Sequence, residues 1–171
     1  MDWISPVSTL AGAVVGVSSA LLAERIRWRR DQEKEGVQTR RVVYSEFLMA
    51  LSRGHSDMRT VVFRSDGATD DRLYADLHQA LDGSGIWRLR QSLSLTASAE
   101  IIELAVKACR ALTDMRDGLV ADPDLRGDAY FQVRAGLWRE NAHLREAMRR
   151  DLGMNGLPDP EVGHYRFPGA S

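Results

Sequence analysis

The pattern of apolar and polar positions changes character sharply near residue 24. Residues 3–23 contain no charged side chain over 21 positions, and residues 24–30 then supply Arg25, Arg27, Arg29 and Arg30. At ~1.5 Å per residue such a run is about 32 Å long as a helix, enough to cross a hydrocarbon core roughly 30 Å thick. Past the arginines the pattern becomes amphipathic. Val37, Tyr44, Phe47, Leu48, Leu51, Met58, Val61 and Val62 recur at three- and four-residue spacings, which predicts a helix to about residue 64. The anchor can continue into this helix as one long rod, and the place most open to a bend or break is Gly36, because glycine is a poor helix former.

Residues 65–70 read as a loop, with Thr69 or Asp70 placed to cap a helix over 71–81 whose stripe is Leu73, Leu77 and Leu81. Gly83-Ser84-Gly85 ends it. Trp87, Leu89, Leu93 and Leu95 then alternate with Arg88, Arg90, Ser92 and Ser94, the period of a strand. No second strand offers itself for pairing, and Ile86, Leu89 and Leu93 serve equally as one face of a short helix, so helix is the reading taken. Ser98, followed by Glu100 and Glu103, opens a long helix whose stripe is Ile101, Ala105, Ala108, Leu112, Met115 and Leu119. After Pro123 and Gly127, Asp128 is expected to cap the last helix, striped by Tyr130, Val133, Leu137, Asn141, Leu144 and Met148. Gly153, Gly156, Pro158 and Pro160 begin an irregular tail.

Amphipathic helices of this kind must bury their stripes against one another. The expected fold is all-α: one N-terminal transmembrane helix followed by an antiparallel bundle of three long and one or two short helices. The divisions expected are an anchor over 1–23, a basic juxtamembrane helix over 24–41, the bundle over 42–152 and the tail over 153–171.

The first segment carries further signals of a membrane span. Ser5-Pro6 suits a helix start, since serine can accept from a free first-turn amide and proline gives up a hydrogen bond that nothing would have used. Trp3 and Trp28 fall at its two ends, where indole rings favour the headgroup layer. Arg25, Arg27, Arg29 and Arg30 follow the apolar run, and basic flanks are retained on the cytoplasmic side. The expected topology is therefore a single pass in a bacterial inner (plasma) membrane, with the N-terminus outside and the C-terminal domain cytoplasmic. A cleaved signal peptide would carry its positive charge before the apolar run. Two other readings, a buried helix of a soluble bundle and a helix lying flat in the interface, fit less well, the second because the serines form no charged face. Ser8, Gly12, Gly16 and Ala20 repeat every four residues, the small-residue spacing through which two spans can pack closely, so this stripe is a candidate homodimer seam.

Composition narrows the function classes. With 23 basic and 24 acidic residues the net charge is −1, against the basic excess usual in nucleic-acid binders, so no nucleic-acid partner is expected. Only two of the basic residues, Lys34 and Lys107, are lysines, which resembles the footprint of a GC-rich coding sequence and discounts arginine motifs as chemistry. The lone cysteine, Cys109, cannot form an intramolecular disulfide and suits a reducing compartment.

The stretch from Leu93 through Ser98 to Cys109, coming after an anchor-plus-arginine start, resembles small bacterial single-pass membrane proteins with a cytoplasmic helical bundle. The resemblance implies architecture and carries no catalytic motif.

Candidate chemistry is sparse. Asp122-Pro-Asp124-Leu-Arg126-Gly127-Asp128 begins like a calcium loop, but position five is Arg126 and position twelve is Val133, where a glutamate should close the site. Glu140 and His143 have the spacing of a di-iron half-motif without its partners, and both flank the buried stripe. No cofactor, metal site or catalytic residue is expected. His55 and Asn141 fall on or near apolar stripes and are candidate buried polar residues that fix helix register. Arg25, Arg27, Arg29 and Arg30 can touch anionic lipid headgroups.

These features favour a membrane-anchored cytoplasmic helical module that binds a protein partner, as adaptor or accessory subunit. The alternative is a membrane-tethered sensor or effector with a ligand inside the bundle, and the third is an enzyme of unrecognised type.

Overall fold

The structure, a computed structural model, describes residues 4–65 and 69–154, and leaves out the side chains of residues 4–23, 26 and 33. Five helices follow one another: α1 (Ile4–Arg64), α2 (Asp70–Gly83), α3 (Ile86–Ser94), α4 (Ala99–Ala121) and α5 (Asp128–Asp151). Among the described residues the chain is all-helical. It divides into two compact units, Met1–Thr39 and Arg40–Ser171.

In the first unit the expected membrane span over residues 3–23, with Trp3, Ser8, Gly12, Gly16 and Ala20, has its side chains outside the described residues. Among the described residues no helix is long and apolar enough to cross a membrane. Arg25, Arg27, Trp28, Arg29 and Arg30 are all exposed, and Asp31 pairs with Lys34 one turn on, Nζ to Oδ1 3.5 Å. α1 runs through Gly36 without a break, and a Cβ added there would meet nothing within 4 Å.

The second unit is the helical bundle. The periodicity of each stripe explains its core: α1 buries Tyr44, Phe47, Ala50, Leu51, Met58 and Val62; α2 buries Leu73, Leu77 and Leu81; α4 buries Ile101, Ala105, Ala108, Cys109, Leu112, Met115 and Leu119. α5 contributes Tyr130, Leu137, Leu144, Ala147 and Met148. The six-residue loop after α4 turns the chain back, so α5 runs antiparallel to it. Arg150 near the end of α5 reaches Glu100 at the start of α4, 3.3 Å. The later part of α1 is likewise antiparallel to α5: Tyr44 meets Asp151, whereas His55 meets Tyr130.

The alternating segment is α3. A helix places Ile86 and Leu93 fully inside while Leu95 is 86 % exposed, which a strand with Leu93 and Leu95 on one face would not allow. A buried serine joins α2 to α3. Ser84 Oγ donates to the Leu81 carbonyl, 2.6 Å, and accepts from the Ile86 amide, 3.2 Å, so one hydroxyl serves the end of one helix and the beginning of the next. Gly85 next to it has φ +76°, a left-handed conformation that a Cβ disfavours. α5 ends in a Schellman motif, with Met154 N–H donating to Arg149 O (2.9 Å), Gly153 N–H donating to Arg150 O (3.0 Å) and Gly153 at φ +74°.

The helix starts differ from expectation in one respect. Gly127, not Asp128, is the N-cap of α5; Asp128 stands in the first turn, where its charge favours the positive end of the helix dipole. Thr69 and Ser98 are the N-caps of α2 and α4, and neither side chain makes a cap hydrogen bond.

Candidate functional site

The polar groups that the fold takes inside lie mostly between α1 and α5. His55 projects from the bundle-facing side of α1 and is 7 % exposed. Its Nε2 and the Tyr130 hydroxyl lie 3.2 Å apart, a hydrogen bond whichever of the two carries the shared proton. The edge of one ring faces the other in the contact with Trp138, 5.4 Å between centroids at 77°. Burial pushes the His55 pKa down to about 4, and the positive charges of Arg59 and Arg134 push it the same way. At pH 7 the ring is therefore neutral and a weak base. Arg134 is itself held by aromatic faces, its guanidinium carbon 4.9 Å from the Phe131 centroid and 5.6 Å from that of Tyr130.

Asn141 lies on the same buried side of α5, 5 % exposed, and its Oδ1 accepts no hydrogen bond from the described residues. Glu140 and His143 flank it at the rim, half-buried and exposed respectively.

At the opposite end of the α1–α5 contact, Tyr44 donates to Asp151 Oδ2 at 2.8 Å, and Arg40 Nε stands 3.2 Å from the same oxygen. The arginine contact is an ion pair without an aligned N–H. Burial, reinforced by the Asp151 hydrogen bond and charge, holds the Tyr44 phenol protonated well above its ordinary range. Cys109 in α4 is 2 % exposed, and burial pushes its thiol up to about 11 despite Arg90.

A second polar cluster lies on the exposed seam of α2 and α4. His78 Nε2 lies 3.3 Å from Asp82 Oδ2, while Arg116 Nη1 lies 3.2 Å from Nδ1. Arginine can only donate, so Nδ1 accepts and Nε2–H points to the carboxylate. Tyr74 stacks on His78 at 6.0 Å, and Arg116 lies over the Tyr74 ring at 5.5 Å. The four-residue spacing of Tyr74, His78 and Asp82 was the available signal; Arg116, 34 positions beyond Asp82, was not readable from it.

Asp122 and Asp124, the start of the calcium-like loop, accept from the backbone amides of Asp124 and Arg126 at 3.3 and 2.8 Å, as turn residues do. Among the described residues no group of three or more His, Cys, Asp or Glu side chains is placed to hold a metal ion. A cavity of about 30 Å³ lies between Met115, Gly118 and Leu119 of α4 and Ala129, Tyr130 and Val133 of α5. It has room for about one water molecule, and neither His55 nor Asn141 lines it. No protein-family model, curated protein or solved structure matches the chain.

Proposed function

We propose that this chain is a membrane-anchored helical protein-interaction module, with residues 3–23 crossing a bacterial inner membrane once and the bundle presented on the cytoplasmic side. The observation that carries the reading is in the sequence: 21 uncharged positions followed within seven residues by Arg25, Arg27, Arg29 and Arg30. Exposure of those four arginines is compatible with headgroup contact, worth roughly 1 kcal/mol per basic side chain near an anionic leaflet. The reading also follows the resemblance to small single-span bacterial proteins with a helical bundle. Within the bundle, the buried polar groups serve helix contacts: His55 bonds Tyr130, Tyr44 bonds Asp151, and Ser84 bridges two helix ends.

Fractionation of cells producing the full chain, with alkaline carbonate extraction and a C-terminal fluorescent protein, tests the anchor and its direction. Retention in the extracted membrane with a fluorescent reporter is expected. Recovery in the soluble or carbonate-released fraction, or a membrane-bound chain with a dark reporter, would overturn the proposal.

A further inference from the structure

Every large apolar side chain that α1 exposes among the described residues stands on one seven-residue register. Val42, Met49 and Phe63 are 45, 56 and 84 % exposed, and their separations are seven and fourteen positions. Counted back in the sequence, the same register passes through Glu35 and reaches Trp28, itself 62 % exposed. At about 100° per residue, Val42, Met49 and Phe63 fall on the side of α1 opposite Phe47, Leu51 and Met58, which face the bundle. Burial in the bundle therefore accounts for none of them. A seven-residue repeat is the period one helix presents to another coiled around it, because 3.5 residues per turn keeps a single seam in contact.

We propose that the outer face of α1 over residues 42–63 is the seam of a parallel dimer with a second copy of this chain. In heptad terms Val42, Met49, Ser56 and Phe63 hold the first core position. Ser45, Ser52 and Arg59 hold the second, and all three are exposed. The serines allow close approach of the backbones, and the long stem of Arg59 carries its charge to the edge of the seam. The flanks select a second copy in parallel. Arg41 and Glu46 stand five residues apart on opposite flanks, the offset at which a residue of one parallel strand meets one of the other, so the dimer forms the Arg41–Glu46 pair twice. The membrane-anchor reading gives the same parallel sense independently, since copies tethered to one face of a bilayer share an orientation.

The test uses the full chain in isolated membranes, or in the soluble fraction if it is recovered there, so that failure of the anchor and failure of the seam are read separately. Val42→Cys, Met49→Cys and, as an off-seam control, Lys107→Cys each add one exposed thiol to a chain whose own Cys109 is buried. After oxidation with copper phenanthroline, disulfide dimers of twice the chain mass are expected from both seam variants and at least five-fold less from the control. Both seam variants can cross-link only in parallel, because an antiparallel pair cannot bring both residues against their own copies. Adding Met49→Arg to Val42→Cys is expected to lower its dimer at least five-fold. Equal cross-linking at Lys107→Cys, no dimer from the seam variants, adducts of another mass, or a dimer undiminished by Met49→Arg would each overturn the proposal.

Discussion

Acidification offers a direct trial of the His55 environment. An unfolded chain binds a proton at the ring near pH 6.5, whereas the folded ring refuses it until about pH 4. Between those values the unfolded state holds more protons, so stability is fully present above about pH 6.5 and is lost as pH falls toward 4. The fall from 6.5 to about 4 gives a loss of about 2 kcal/mol between pH 8 and pH 5, and about 3 kcal/mol by pH 4. His55→Gln keeps a side chain that can bond the Tyr130 hydroxyl but does not titrate in this range. Urea unfolding of both full-length proteins in a mild non-ionic detergent, followed by far-UV circular dichroism at pH 8 and 5, measures the difference. Every other acid-sensitive group is common to both proteins and cancels in the difference. The wild type is expected to lose about 2 kcal/mol more than His55→Gln over that interval. Parallel losses in the two proteins would refute the claim that the buried ring, squeezed between Tyr130 and Trp138 beside Arg59 and Arg134, is neutral for lack of solvation.

The remaining predictions concern packing and polar satisfaction. Ser84→Ala leaves the Leu81 carbonyl and Ile86 amide without their shared hydroxyl and should cost about 1–3 kcal/mol in urea unfolding. A Cβ at Gly54 would stand 3.1 Å from Leu112 Cδ2 and 3.4 Å from Ser84, so Gly54→Val should destabilise by about 1–3 kcal/mol. Gly36→Ala, in open space, should instead slow amide hydrogen exchange around it, by up to about 1 kcal/mol of local stability. Asn141→Leu removes a buried acceptor that no described residue satisfies and should raise the unfolding midpoint by an amount worth about 1 kcal/mol; a fall of that size would show that the amide is bonded.

Much of the bundle was legible because each long helix repeats its apolar residues with one period. The stripes in α2 and α4 account for nearly all that those helices bury, and the last stripe runs through α5 from Tyr130 to Met148. What periodicity cannot supply is the partner across a helix contact. His55 and Asn141 could be placed on buried faces, but the pairing of His55 with a tyrosine 75 positions away depends on how α5 returns along α1. The Arg116–His78 contact escaped for the same reason. Small residues are read less well: of the continuous rod and the break that Gly36 left open, the structure has the continuous helix, while Gly54, where Leu112 and Ser84 close on the backbone, carries no sign of its role in the sequence. The cap at Gly127 was missed because glycine lacks the acceptor side chain by which such positions are recognised.

The chain's single thiol gives the fold a gauge of its own opening. Protonated at neutral pH and sealed beneath α4's neighbours, Cys109 can react with an alkylating reagent only when the surrounding helices part, so its labelling rate in native buffer measures how often the core breathes. A substitution or a bound partner that tightens the bundle should lengthen that interval, and mass spectrometry can read the change without any engineered probe.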